Sequence, residues 1–96
     1  MAQVAVAASA WDDLARLYEF LAEHSVVAAM KAVETIEDGI LLLERHPKIG
    51  RPLEDGLREL VIAYGATGHL ALYQFDPMRD LVTVFKIRHQ RELGYR

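Results

Sequence analysis

Two rhythms of apolar residues divide the chain. From about residue 10 to 45 they recur every three or four positions, the period of an α-helix; beyond residue 57 they recur at every second position, the period of a strand. The opening Gln3-Val-Ala-Val-Ala7 alternates weakly, with Val4 and Val6 on one face, and predicts a short strand. Ser9-Ala-Trp-Asp12 reads as a capping box, with the Ser9 hydroxyl on a first-turn amide and Asp12 facing the positive end of the helix dipole. A helix is expected over residues 10–23, with Trp11, Leu14, Ala15, Tyr18, Leu21 and Ala22 on one face. Leu17 and Phe20 lie outside that stripe and widen the apolar arc beyond one packed face. Two readings are open: a helix packed on two sides, or a flank that binds a partner.

His24-Ser25 interrupts the helix, and Ser25 caps a second one over residues 26–45. Ala29, Met30, Val33, Ile36, Ile40 and Leu43 carry its apolar period; Glu34, Glu37, Asp38 and Glu44 take the other side. Gly39 costs about 1 kcal/mol relative to alanine inside a helix and is expected to mark a close helix–helix crossing. The short link makes the two helices an antiparallel hairpin. Pro47, Gly50 and Pro52 end the helical region in an irregular loop. Strands follow at 58–64, 69–75 and 81–88, with turns at 65–68 and 76–80, an antiparallel meander. The fold class is therefore α+β in the order β-α-α-β-β-β, one domain over residues 1–96, with the helical hairpin packed on a small antiparallel sheet.

Strict alternation in the last strand puts Leu81, Thr83, Phe85 and Ile87 on one face, expected to cover the helices. Val82, Val84, Lys86 and Arg88 fall on the other. Arg58 begins a mostly apolar face with Leu60, Ile62 and Tyr64.

The chain has 96 residues, a formal charge of −3 and no cysteine. No disulfide framework or thiolate metal site is possible, which suits a reducing, cytoplasmic setting. The opening residues lack the basic and apolar regions of a signal peptide, and no apolar run approaches a membrane span. Dinucleotide, P-loop, zinc and calcium-loop motifs are missing, so no cofactor is expected. The acidic balance argues against direct nucleic-acid binding. Charge is nonetheless uneven. Residues 1–57 carry five Lys/Arg against ten Asp/Glu, whereas residues 58–96 carry six against four. Lys86, Arg88, Arg91 and Arg96 crowd the last eleven positions.

The cluster Arg88-His89-Gln90-Arg91 has two chemical readings beside that of solvated edge residues. Arginine forks bind anions. The same cluster could support RNA cleavage, with cations on the phosphorane and His89 as general base or acid, its pKa lying near neutrality. A lone strand-end histidine also serves as an ordinary hydrogen-bonded residue. His24, His46 and His69 lack partners at ligand spacing, so no metal site is expected. Tyr64 and Tyr73 read as core or boundary aromatics.

Several pieces recur together in one order: Asp13-Leu14, Ala28-Ala29, Leu43-x-x-x-Pro47-x-x-Gly50-Arg51, Arg58-Glu59-Leu60, Tyr73 and Ile87-Arg88-His89-x-Arg91. This pattern, spanning about residues 11–95, resembles the RelE/ParE family of toxins from type II toxin–antitoxin modules, often labelled plasmid stabilisation proteins. The resemblance implies a compact α+β toxin neutralised by a small ParD-like antitoxin. The antitoxin would lay a helix along the apolar surface, with Leu14, Leu17, Phe20 and Leu21 as anchors. It further implies one of two activities. ParE-like members poison DNA gyrase without catalysis; Arg58, Lys86, Arg88, His89 and Arg91 would then contact the target. RelE-like members cut mRNA on the ribosome, and Arg58, Arg88, His89, Arg91 and Tyr95 would supply the site. The net charge of −3, the absence of a dense lysine pair on the central strands, and the Pro47…Gly50-Arg51 and Arg58-Glu59-Leu60 segments resemble the ParE side more. A non-toxic interaction domain of the same fold is the remaining reading.

Overall fold

The computed structural model describes residues 1–64 and 67–89. Strand β1 (Gln3–Val6) leads into helix α1 (Ala8–Ala22), and helix α2 (Val26–Leu41) runs on into a 3₁₀ turn, Leu42–Glu44. Short strand β2 (Arg51–Pro52) precedes the meander β3 (Leu57–Tyr64), β4 (Thr67–Asp76) and β5 (Leu81–His89). The sheet order is β1-β5-β4-β3-β2. The meander is antiparallel as its short links require, but β1 joins β5 in parallel, Val4 opposite Val82 and Val6 opposite Val84. The sheet is therefore mixed, because the α1–α2 hairpin is long enough to carry the chain back to its far edge.

The hairpin covers one sheet face, α1 over β5 and α2 over β3. The core between the layers holds Leu14, Ile36, Leu43, Leu60, Tyr73, Val82, Val84 and Ile87. Ser25 caps α2 as expected, its Oγ accepting the Ala28 N–H at 3.1 Å. Gly39 lets α2 close on the sheet: a Cβ there would lie 2.8 Å from Ile62. The close crossing is thus between helix and strand.

Three expectations are corrected. Ser9 is not a cap. Ala7 occupies the cap position with no side-chain bond, and the Ser9 hydroxyl instead donates to the Phe85 carbonyl at 2.5 Å. The buried side of α1 is Ala10, Asp13 and Leu14, with Leu17 packed against the core, while Trp11 and Tyr18 are exposed. The helix is turned by roughly one residue, about 100°, from the side that apolar counting selects. Asp13 lies on the inward side, where its carboxylate accepts a backbone amide of β5. In α2 the buried side is Ala29, Ala32, Ile36 and Ile40, and Met30 points outward.

Candidate functional site

The basic end of β5 is shaped by one β-bulge. Along β4 and β5, Tyr73 faces Val84, yet Leu72 faces Lys86, so Phe85 is an extra residue without a cross-strand partner. A bulge reverses the in–out alternation beyond it. Val82 and Val84 are fully buried under the helices, and Ile87 rejoins them on that side at 6% exposure. This corrects the face assignment for β5: Val82 and Val84, not Leu81 and Phe85, cover the helices. Lys86 and Arg88 still share the outer face, opposite Leu72 and Leu70, two residues or roughly 7 Å apart along the strand. His89 returns to the helix side, where its ring meets that of His69 edge-on with centroids 5.4 Å apart. Sequence spacing missed this pair because its partners are joined only through the meander register.

Arg58 belongs to a different structure. Its guanidinium donates to the carbonyls of Lys48 (3.0 Å) and Gly50 (2.8 Å). The Gly50 N–H donates to the hydroxyl of Tyr73 at 2.8 Å, and Tyr73 is wholly buried. Arg51 pairs with Glu59 at 2.9 Å. Pro47…Gly50-Arg51, Arg58-Glu59 and Tyr73 therefore form one knot that fastens the helix-exit loop to the sheet. Burial pushes the Tyr73 phenol above its ordinary pKa; the Gly50 N–H and the Arg58 charge oppose that only in part.

The candidate target residues fall into two places. Arg58 lies opposite Tyr73, which lies opposite Val84, on the helix side of the sheet. Arg88 lies opposite Leu70 on the outer side. The two are separated by one intervening strand, by three residues along the sheet, and by the sheet itself. Lys86 and Arg88 stay together, and His89 sits beside them in chain but on the helix side. Arg91 and Tyr95 lie outside the described residues. No group of three metal-ligating side chains occurs among the described residues.

The expected antitoxin anchors also divide. Leu14 is buried at 4% exposure, Leu17 packs against the core, and Leu21 is half-buried. Phe20 is open at 63%, its ring edge-on to His24. The large apolar side chains that α1 and α2 leave exposed are Trp11, Tyr18, Phe20, Val26, Val27, Met30 and Leu41. Trp11 and Tyr18, spaced i and i+7 on one flank of α1, were hidden from sequence reasoning by their assignment to the core.

Residues 4–94 match the family described as the ParE toxin of the type II toxin–antitoxin system parDE. Toxin RelE3 of Caulobacter vibrioides is 32% identical over 80 residues, covering 83% of this chain and 85% of that protein. Among solved structures, the chromosomal ParDE system of P. aeruginosa superposes with a TM-score of 0.75 at 22% identity, covering 93% of this chain and 96% of the other. The RelBE2 toxin–antitoxin complex of Mycobacterium tuberculosis gives 0.67 at 20% identity, covering 93% and 98%. The intact E. coli RelBE complex gives 0.65 at 14% identity, covering 96% and 100%. The fold is that of the RelE/ParE toxins. The chain belongs to the ParE toxin family of type II toxin–antitoxin systems.

No helix among the described residues is long and apolar enough to cross a membrane.

Proposed function

We propose that this toxin acts as ParE-like toxins do, by poisoning DNA gyrase through surface contacts and without catalysis. The observation that carries this reading is the scatter of the would-be catalytic set. An RNA-cleaving site needs its base, its cations and its acid around one phosphate. Of that set, Arg58 is tied into the helix-exit loop, Arg88 faces outward and His89 faces inward. The match to the ParE family over residues 4–94 supports the same choice. Lys86 and Arg88, with Arg91, are then the target contacts, and Arg58 serves the fold.

The partner on this reading is a ParD-like antitoxin in the same cytoplasm. Its helix covers exposed apolar side chains of the hairpin, Trp11 and Tyr18 marking one flank of α1 and Phe20 the opposite one, with Met30 open on α2. Among the anchors expected from sequence, Phe20 keeps that role.

The test is a gyrase reaction with supercoiled plasmid and ATP, followed by protein denaturation and a gel. Linear plasmid covalently held by gyrase is the expected product. Lys86→Ala with Arg88→Ala should abolish it while antitoxin binding persists. Unaffected supercoiling by a preparation that still binds its antitoxin would refute the reading. A second reading, ribosome-dependent mRNA cleavage, draws on the likeness to Toxin RelE3 and on the His69–His89 contact at the basic strand end. It requires that His89→Gln lower cleavage by roughly 100-fold or more; the gyrase reading requires a mild effect.

A further inference from the structure

The bulge that presents Lys86 and Arg88 is held from outside the sheet. Strand β1 pairs with β5 only as far as Val84, so at the bulge and beyond it that side of β5 has no strand to bond its backbone. Helix α1 takes its place. The Ile87 N–H donates to Asp13 Oδ2 at 2.9 Å, and the Phe85 carbonyl accepts the Ser9 hydroxyl at 2.5 Å. Ser9 and Asp13 are one helical turn apart, so they rise from one side of α1. They span the bulge, one on each side of Lys86. Asp13 is 8% exposed, and its other oxygen is paired with the guanidinium of Arg16. A carboxylate so buried is costly unless its bonds are made, so its inward placement needs a reason. The reason lies in the strand. Without the extra residue, strict alternation would aim Lys86 and Arg88 into the core with Val82 and Val84.

We propose that Asp13 is a positioning residue for the target-contacting edge. By holding the Ile87 amide, with Ser9 on the Phe85 carbonyl, it fixes the register change that turns Lys86 and Arg88 outward. The role of that edge rests on the gyrase reading given above; the control of register by α1 does not.

The test compares Asp13→Ala, Asp13→Asn, Arg16→Ala and Ser9→Ala in the full chain. Amide exchange at Ile87 and the cross-strand NOE between Leu72 and Lys86 report the register. Gyrase cleavage and antitoxin affinity are measured on the same samples. Asp13→Ala should speed Ile87 exchange by at least about tenfold over its β5 neighbours and weaken the Leu72–Lys86 NOE. It should also raise the toxin concentration needed for cleavage at least about tenfold. Antitoxin affinity should stay within about twofold, because the exposed flank is untouched. Asp13→Asn should rescue most of both effects, since its amide oxygen still accepts the Ile87 N–H. Arg16→Ala, which removes only the ion pair, should resemble the parent.

Unchanged Ile87 protection in Asp13→Ala would overturn the proposal. So would equal losses in the Asn and Ala variants, or full cleavage activity despite a lost register. Should Asp13→Ala not fold, Ser9→Ala and Asp13→Asn decide: Ser9→Ala must loosen the same amides and Asp13→Asn must not. If the parent toxin leaves gyrase untouched, the gyrase reading fails by itself, and the exchange and NOE results still decide the role of Asp13.

Discussion

Replacing Gly50 by alanine should destabilise this toxin far more than a loop substitution normally does. A Cβ at Gly50 would lie 2.6 Å from both Cε1 and Oη of Tyr73 and 3.0 Å from the Glu59 carbonyl oxygen. Tyr73 is wholly buried and cannot swing away. The loop must move instead, which stretches the Gly50 N–H bond to Tyr73 and the Arg58 bonds to Lys48 and Gly50. Overpacking of this kind costs about 1–3 kcal/mol, and a weakened buried hydrogen bond adds about 1 kcal/mol. The sum is about 2–4 kcal/mol, a fall in Tm on the order of 10–20 °C for a domain this size. Urea and thermal denaturation of the isolated chain, followed by circular dichroism, measure it. A double-mutant cycle with Tyr73→Phe should be non-additive by at least about 0.5 kcal/mol, since both changes break the same bond. A loss below about 0.5 kcal/mol for Gly50→Ala, or strict additivity in the cycle, would refute the account of the knot.

Three other outcomes are expected. Tyr73→Phe should cost about 1–3 kcal/mol near neutrality by leaving the Gly50 N–H unpaired. The folded Tyr73 phenol titrates above its ordinary value of 10.0, so its stabilising share is complete below pH 10.0 and is lost as pH rises through the folded pKa. Urea titrations at about pH 8 and about pH 11 should therefore show a smaller alkaline loss in the Phe variant than in the parent; equal losses would exclude this linkage. Arg58→Ala should lower stability by about 1–2 kcal/mol, because one of its two carbonyl bonds is solvent-exposed. Once that is allowed for at low temperature, gyrase cleavage should persist; selective loss of cleavage in a fully folded variant would return Arg58 to the target surface. Trp11→Ser and Phe20→Ser should leave stability within about 0.5 kcal/mol. Each should weaken antitoxin binding by about tenfold or more in calorimetry, and unaltered affinity in both would move the docking surface elsewhere.

The sequence by itself determined the elements and their order. Apolar periods of 3.6 and 2, Ser25 at a helix start, and Pro47 with Gly50 at a helix exit are local signals, and the predicted helices and strands form near their expected places, while strand β2 at Arg51–Pro52 falls in the stretch read as an irregular loop. The family was legible for the same reason. Its recurring residues are mostly structural, and the structure gathers Gly50, Arg51, Arg58, Glu59 and Tyr73 into one knot. Tertiary structure alone decided which way side chains face. Helix α1 packs with Asp13 on its inward side, so that Trp11 and Tyr18 are surface and Leu14 and Leu17 are core. One extra residue at Phe85 reverses the alternation of β5, separating Val84 from Lys86 and Arg88. The pairing of His69 with His89, and the distance of Arg58 from both cations, follow from strand register. The physical reason is common to all of these. Periodicity records which residues are apolar, but a polar anchor or a bulge acts through a backbone partner far along the chain. Ser9 finds Phe85 and Asp13 finds Ile87 across more than seventy residues, and no local pattern carries that information.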